Sequence, residues 1–216
     1  MNLWRRFSGG NVSLTRLEAF SDGVFAIVVT LLVLELKVPA LKDHASVGEL
    51  WHQLYELLPK FVSWLISFVI VCKFWLNQSH LLGMAGRADY GLAWVNALFL
   101  LGQSFIPFPT ALAGEYPHNP LAVSFFGVVF ALNTLLFILL YAYIQRNVMK
   151  PEAKAQDDPG GPVKGSIGVA SYLLGAVAAW FSIHLAFLIY ALTPIFYITP
   201  RTWKPKAAKR NRSSEA

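Results

Sequence analysis

The sequence predicts an all-α membrane protein with six transmembrane helices. Of its 216 residues, 56% are hydrophobic, and the mean hydropathy is +0.49, which is more apolar than an ordinary soluble domain. Several uncharged runs are long enough to cross the hydrocarbon core of a bilayer. With six spans, fourteen Lys and Arg residues lie on the inner side and three on the outer side. This asymmetry predicts that the N- and C-termini are both cytoplasmic.

The first predicted helix covers about residues 16–37 and ends before Pro39. Its apolar middle, residues 23–34, lies between Asp22 and Glu35. At 1.5 Å per residue this run covers about 18 Å, less than the roughly 30 Å hydrocarbon core. Charged groups at such depths need partners, so the polar ends should face protein or water inside a bundle. Such a helix suits a pore lining, although a first transmembrane helix with charged caps has the same pattern.

The other helices follow from the apolar runs and their breaks. An outer loop with an amphipathic turn at 47–58 leads to helices at about 57–83, 90–113 and 120–146, the second broken by Pro107 and Pro109. The apolar stretch 166–199 is too long for one ordinary span. We divide it at Trp180–His184 into helices 166–182 and 184–200; one long tilted helix is the alternative, with the C-terminus outside. The predicted organisation is a cytoplasmic arm at 1–15, a six-helix transmembrane domain at 16–200 and a basic cytoplasmic tail at 201–216.

The residue pattern argues against several classes of function. The histidines are scattered, and the sequence has no nucleophile elbow, phosphate loop or cysteine-rich cluster. We therefore expect no catalytic residues, no metal site and no cofactor. Cys72 stands alone in an apolar run and is predicted to be a small packed hydrophobe. The net charge of +6 gathers at helix ends and in the tail, which indicates topology and contact with membrane lipids and not nucleic acid.

Three segments, taken together, resemble one known family. Arg16, Phe20, Ser21 and Asp22 match the RxxxFSD signature of the endosomal/lysosomal potassium channels, the transmembrane protein 175 family. The segment 74–80 (FWLNQSH) resembles the second helix of that family, and the segments 94–96 (WVN) and 106–110 (IPFPT) resemble its third. The three stand in the family's order over roughly residues 16 to 115. The chain is similar to the prokaryotic members, which have one six-helix repeat.

The resemblance implies a homotetrameric cation channel without a pore loop, permeable to potassium ions with modest selectivity. In that family the first helix of four chains lines the pore, and bulky aliphatic side chains constrict it. The matching positions here are Ile27, Leu31 and Leu34, whose i, i+4, i+7 spacing places them on one helix face. The spacing alone equally suits packing against a neighbouring helix. As a pore lining, these apolar rings would make a hydrophobic gate.

Two more residues of the first helix are candidates for the pore lining. The hydroxyl of Thr30 either turns toward the pore or bonds back to the Ala26 carbonyl, as helical threonines usually do. Glu35 either forms an acidic ring at the outer mouth or is a solvated helix end. The resemblance also points to a structural polar network of Arg16, Phe20, Ser21 and Asp22 with partners on the second and third helices, which are Trp75, His80 and Asn96.

The predicted network would fix the rotation of the first helix. As a histidine, His80 suits either a pH gate or a satisfied buried residue. Lys73 lies deep in the second helix; it either snorkels or pairs with a carboxylate such as Asp22, and a role in permeation is the third alternative. The alternative functions are a proton-coupled secondary transporter, with Lys73, Asp22 and His80 as a relay, and a non-conducting structural or lipid-binding membrane protein. The expected location is the plasma membrane of a prokaryote.

Overall fold

The computed structural model describes residues 11–154 and 161–198, which form nine helices and two short strands. The predicted tail at 201–216 lies outside these residues, as does most of the predicted arm. The elements are, in order, β1 (Asn11–Val12), α1 (Leu14–Val33), α2 (Val47–Glu56), α3 (Leu58–Gly83), β2 (Ala88–Asp89), α4 (Tyr90–Ser104), α5 (Pro107–Glu115), α6 (Pro120–Asn147), α7 (Pro151–Lys154), α8 (Gly161–Ala178) and α9 (Ile183–Ile198).

Side-chain caps and prolines begin most of these helices. The Ser13 hydroxyl accepts a hydrogen bond from the Arg16 backbone N–H, and Asp89 and Asn119 cap α4 and α6 in the same manner. Proline lies in the first turn of α3, α5 and α6. Backbone N–H groups in this turn have no acceptor within the helix, so proline, which lacks the N–H, breaks no hydrogen bond there. Local chemistry therefore sets where these elements start.

Helix α1 ends at Val33, four residues before the predicted end at 37. The backbone N–H groups of Leu34 and Leu36 donate to carbonyls three residues earlier. This is the hydrogen-bond pattern of a 3₁₀ turn, so the α-helix does not continue here. Pro39 has no N–H for the Glu35 carbonyl, and it disfavours helical dihedrals at the residue before it. Glu35 consequently lies beyond the helix and not within it.

The described part of the chain contains three helical segments long and apolar enough to cross a membrane: Leu58–Gly83, Tyr90–Glu115 and Pro120–Asn147. The second is divided at Pro107 into α4 and α5, where the sequence predicted a break. Two shorter apolar helical stretches, Gly165–Ala178 and Ile183–Pro194, follow. The last apolar stretch thus forms two helices, α8 and α9, and not one long helix.

Helix α1 has only 11 uncharged residues after Asp22, and those cover about 16 Å.

Aromatic side chains join the first four long segments in one core. Phe25 of α1 and Phe74 of α3 both contact Phe99 of α4, with ring centroids 6.1 and 5.9 Å apart. Phe137 of α6 contacts Phe74 and Phe99. Aromatic pairs at such distances add to the energy of area burial. This cluster fixes one face of α1 against α3 and α4.

A second aromatic cluster attaches α8 and α9 to α6. Tyr190 of α9 contacts Phe126 of α6, and its hydroxyl donates to the Val123 carbonyl at 3.0 Å. Glycines make room for this ring, because a Cβ on Gly127 or Gly175 would lie 2.2 or 2.3 Å from Tyr190 atoms. Helices α8 and α9 therefore pack against α6, and α9 also contacts α3.

The helix ends on the predicted inner side are joined by short backbone pairings that the sequence did not predict. Strand β1, just before α1, pairs antiparallel with β2, just before α4. Ala85 and Met149 form an isolated bridge, and the Lys150 ammonium donates to the Gly83 carbonyl at the end of α3. These contacts anchor the start of α1 to the loops that follow α3 and α6.

Candidate functional site

Helix α1 has one buried face and one exposed face. The buried residues recur every three or four positions and are Leu17, Ser21, Phe25, Val28 and Leu32. This spacing makes a single stripe that faces α3 and α4. Among the residues that the structure describes, none forms a core against the other side of α1, so a large apolar surface is left uncovered by them.

The predicted constriction residues lie on this uncovered side. Ile27 and Leu31 are 59% and 42% exposed, and Leu34, the residue directly after α1, is 67% exposed. At about 100° per residue, Thr30 lies directly opposite Ser21, at the centre of the exposed side. The candidate pore residues therefore share one surface, which none of the described helices of the same chain covers.

Thr30 interrupts the apolar surface with a hydroxyl. Its Oγ1 lies 2.9 Å from the carbonyl oxygens of both Ala26 and Ile27, so its proton is donated within α1. This is the back-bonded alternative considered above. Because the proton points to the backbone, the lone pairs of the oxygen remain on the exposed side.

A buried chain of hydrogen bonds fixes the opposite face of α1. Gln78 of α3 donates to the Asn96 side-chain carbonyl at 2.8 Å. Asn96 of α4 donates to the Ser21 hydroxyl at 3.0 Å, and Ser21 donates to the Leu17 carbonyl at 2.9 Å. Ser21 and Asn96 are 0% exposed and Gln78 is 1% exposed. Three helices are thus joined by polar groups that have no access to water.

The aspartate of the signature makes a separate contact at the edge of this network. The Trp75 indole N–H donates to the Asp22 carboxylate at 2.8 Å. Both side chains are exposed within the protomer. The bond joins α1 to α3 one residue along from Ser21, so the two contacts together restrain rotation of α1 about its axis.

The remaining predicted network residues lie apart from these bonds. Arg16, Phe20 and His80 are exposed, and Phe20 is 61% exposed. The buried partner on α3 is Gln78, which the sequence reasoning did not single out. A signal for it exists, because Gln78 continues the three- and four-residue spacing of the buried residues Val71 and Phe74.

A second set of polar contacts joins the helix ends on the predicted outer side. The Lys60 ammonium and the Glu115 carboxylate form an ion pair at 2.6 Å, which joins α3 to α5. Deeper along the same two helices, the hydroxyls of Ser67 and Thr110 are 2.7 Å apart. Glu35 lines a nearby recess of about 230 Å³ beside Lys60.

The recess at the outer end places Glu35 among side chains of both charges. Its other lining residues, besides Glu35 and Lys60, are Lys37, Trp64, Phe108, Thr110, Ala111, Leu112, Gly114, Glu115 and Tyr116. Within the described residues, no three His, Cys, Asp or Glu side chains cluster as a metal ion would require. What the site offers is an apolar helix face with a hydroxyl, and carboxylates at its outer end.

A family model described as the endosomal/lysosomal potassium channel TMEM175 matches residues 16–107. A protein named as a potassium channel, from Chamaesiphon minutus, is 33% identical over 183 residues, which cover 81% of this chain and 90% of that relative. The chain belongs to the TMEM175 family. The family resemblance of the signature segments is thereby confirmed, and the family is one of ion channels, which are not enzymes.

Two further comparisons agree with this assignment. A potassium channel of Streptomyces collinus is 30% identical over 188 residues, covering 84% of this chain and 90% of that relative. The crystal structure of a lysosomal potassium-selective channel TMEM175 homolog from Chamaesiphon minutus matches with a TM-score of 0.73 and 32% identity. That match covers 85% of this chain and 95% of the other. The mostly helical membrane fold is therefore that of a TMEM175 channel.

Proposed function

We propose that this protein is a homotetrameric, potassium-permeable cation channel of a prokaryotic plasma membrane, with six spans and both termini cytoplasmic. Its pore is lined by α1 from four chains. The observation that carries the proposal is the exposed side of α1, which over residues 23–33 is apolar apart from Thr30 and lies opposite a tightly fixed buried stripe. In the assembled protein this exposed face must contact something outside the protomer. Because the family is one of channels, we assign that contact to the water and ions of a pore.

Ile27, Leu31 and Leu34 form the constriction in this proposal. Around a fourfold axis, each contributes a ring of aliphatic side chains. Water enters a narrow apolar ring only at a cost, and an ion that passes through it must lose hydration water. The ring therefore opposes ion passage unless the pore widens or the ion keeps part of its hydration shell. The gate is therefore one of dewetting and size, which gives modest selectivity because no ring of backbone carbonyls replaces the hydration shell.

Thr30 and Glu35 supply the polar groups of the proposed pore. The Thr30 oxygen keeps its lone pairs on the exposed side, where they can substitute for part of the hydration of a passing cation. Glu35 lies beyond the end of α1, so four copies place carboxylates near the outer mouth. Such a ring raises the local cation concentration.

The buried network has a positioning role in this account. Ser21, Gln78 and Asn96 bind α1 at a fixed rotation, and Trp75 adds a second restraint through Asp22. Arg16 and Phe20, near the start of α1, and His80, near the end of α3, complete the proposed network in the assembled channel. A change of rotation by one residue, about 100°, would remove the constriction residues from the axis.

The test is ion flux through purified protein in liposomes under a potassium gradient. Leu31→Ala should increase potassium conductance, because a smaller ring is wider and easier to wet. Its matched control is Leu32→Ala, one residue along, whose side chain is 0% exposed in the core. Leu32→Ala should reduce stability and leave unitary conductance close to that of the wild type.

Three results would overturn the proposal. A wild-type protein that conducts no potassium at any pH is not a channel of this kind. A wild-type protein that conducts while substitutions at Ile27, Leu31 and Leu34 leave conductance and selectivity unchanged has its pore elsewhere. Flux that saturates with potassium and is coupled to protons would instead indicate a transporter.

A further inference from the structure

Helix α2 is sharply amphipathic. At about 100° per residue, its apolar residues and the first residue of α3 fall within an arc of about 140°, and they are Val47, Leu50, Trp51, Leu54, Tyr55 and Leu58. The opposite side carries the polar residues Glu49, His52, Gln53 and Glu56. His52 and Glu56 form an i, i+4 pair on that side, with Nδ1 and Oε1 3.6 Å apart.

None of the residues of α2 is buried. Trp51 is 74% exposed, Tyr55 68% and Val47 82%. The described part of the chain therefore leaves the apolar face uncovered, although this face contains two large aromatic side chains. An isolated ten-residue helix is marginal in water, so burial of this face elsewhere would stabilise it.

The position of α2 in the chain determines what lies beside that face. Its last turn is followed after one residue, Leu57, by α3, which is long and apolar enough to span the membrane. The apolar face of α2 continues on α3 through Leu58, Phe61 and Leu65, all exposed. Helix α2 thus lies at the membrane boundary with its apolar face in line with the membrane-facing surface of α3.

Hydrogen bonds fix the entry to α2. The Glu49 carboxylate accepts from the backbone N–H groups of Lys42 and Asp43, at 2.8 and 3.1 Å. The Ser46 hydroxyl accepts from the Glu49 N–H, which caps the helix. The loop after α1 is therefore folded back onto the polar side of α2, and the apolar side is left free.

From these observations we infer that α2 is an interfacial helix that lies on the outer leaflet of the membrane. Its aliphatic residues enter the boundary between headgroups and acyl chains. Trp51 and Tyr55 take the headgroup level, which such amphipathic rings prefer. Its polar side, with two glutamates and no lysine or arginine, faces water, so binding rests on apolar burial and not on attraction to anionic lipid. The assignment to the outer leaflet rests on the proposed cytoplasmic N-terminus, whereas the interfacial position of α2 depends only on the membrane setting and holds whatever the pore conducts.

The test measures the surroundings of single cysteines along residues 49–56. Each cysteine is introduced in a Cys72→Ser background and carries a nitroxide spin label. The protein is reconstituted in vesicles of phosphatidylcholine and phosphatidylglycerol, and collisions with oxygen and with an aqueous nickel chelate are recorded. Trp51→Cys and His52→Cys are matched neighbours on the two faces. Because α2 contains no buried residue, these variants should fold.

We expect the ratio of oxygen to nickel accessibility to be severalfold higher at position 51 than at position 52. Along the helix the ratio should oscillate with a helical period, and the label at 54 should lie about 5–10 Å inside the headgroup boundary. High nickel accessibility on both faces would mean that α2 projects into water. Low accessibility to both reagents on the apolar face would mean that another copy of the chain covers it. Either result overturns the inference.

Discussion

Replacement of Asn96 by alanine tests the buried network that holds α1. Asn96 is 0% exposed and joins Gln78 of α3 to Ser21 of α1. In Asn96→Ala, the Gln78 amide loses its acceptor in a site without water. Ser21 keeps its own bond to the Leu17 carbonyl, so Gln78 bears most of the loss.

The size of the effect follows from these contacts. A buried donor left without a partner costs about 1–3 kcal/mol in water-soluble proteins. Hydrogen bonds between transmembrane helices average about 0.6 kcal/mol, with values up to about 1.7, because the unfolded chain in the membrane also finds partners. We therefore expect Asn96→Ala to lower the free energy of unfolding by about 1–2 kcal/mol.

The measurement is equilibrium unfolding in mixed micelles of rising SDS fraction. The matched control is Asn77→Ala, which removes the same side chain from an exposed position of α3. The double variant Gln78→Met, Asn96→Leu removes both polar partners and should recover much of the loss, since apolar groups of similar shape leave no orphan donor. An Asn96→Ala protein as stable as Asn77→Ala would refute the reasoning.

Three further predictions concern other parts of the molecule. Gly175→Ala should lower stability by about 1–3 kcal/mol through overpacking, because its Cβ would lie 2.3 Å from the Tyr190 ring; Gly48→Ala, which meets open space, is the control in the same SDS assay. Lys60→Met should cost less than about 1 kcal/mol, an effect that shrinks as salt is added, because Glu115 is largely exposed; a large, salt-independent loss would contradict this. Hydrogen bonds from the Lys42 and Asp43 backbone N–H groups lower the pKa of Glu49, so their stabilising effect is complete above the ordinary carboxyl pKa and is lost as pH falls through the lowered value. Protection of those two amides from hydrogen exchange should fall over that range, and Glu49→Gln should remove the pH dependence.

The long apolar helices could be predicted from the sequence because lipid demands them. Uncharged runs and prolines located α3, the break between α4 and α5, and α6 to within a few residues. The predicted end of α1 lies too far along the chain, because an apolar sequence carries no signal for the i→i−3 hydrogen bonds that follow this helix. The strands β1 and β2 are two residues each, too short for any alternating pattern.

The candidate site was predictable in part. The exposure of Ile27 and Leu31 follows from a helix that buries the opposite stripe, but spacing alone does not say which of two apolar faces is buried. Aromatic packing of Phe25 against Phe99 decides that, and it depends on side chains far apart in sequence. The sequence did not single out Gln78, because the hydrogen-bond partner of a polar side chain in an apolar helix lies on another helix and is known only from the folded structure.

The most direct test of the pore assignment is block of the current by Cd²⁺ in Ile27→Cys, made in a Cys72→Ser background. Four thiolates around an axis would bind a soft metal ion, whereas Val28→Cys, on the buried face at 2% exposure, offers no such ring. The account predicts that Cd²⁺ blocks the potassium current of Ile27→Cys, that a chelator restores it, and that Val28→Cys is unaffected. Current through Ile27→Cys that Cd²⁺ leaves unchanged, or equal block of both variants, would contradict a pore lined by α1.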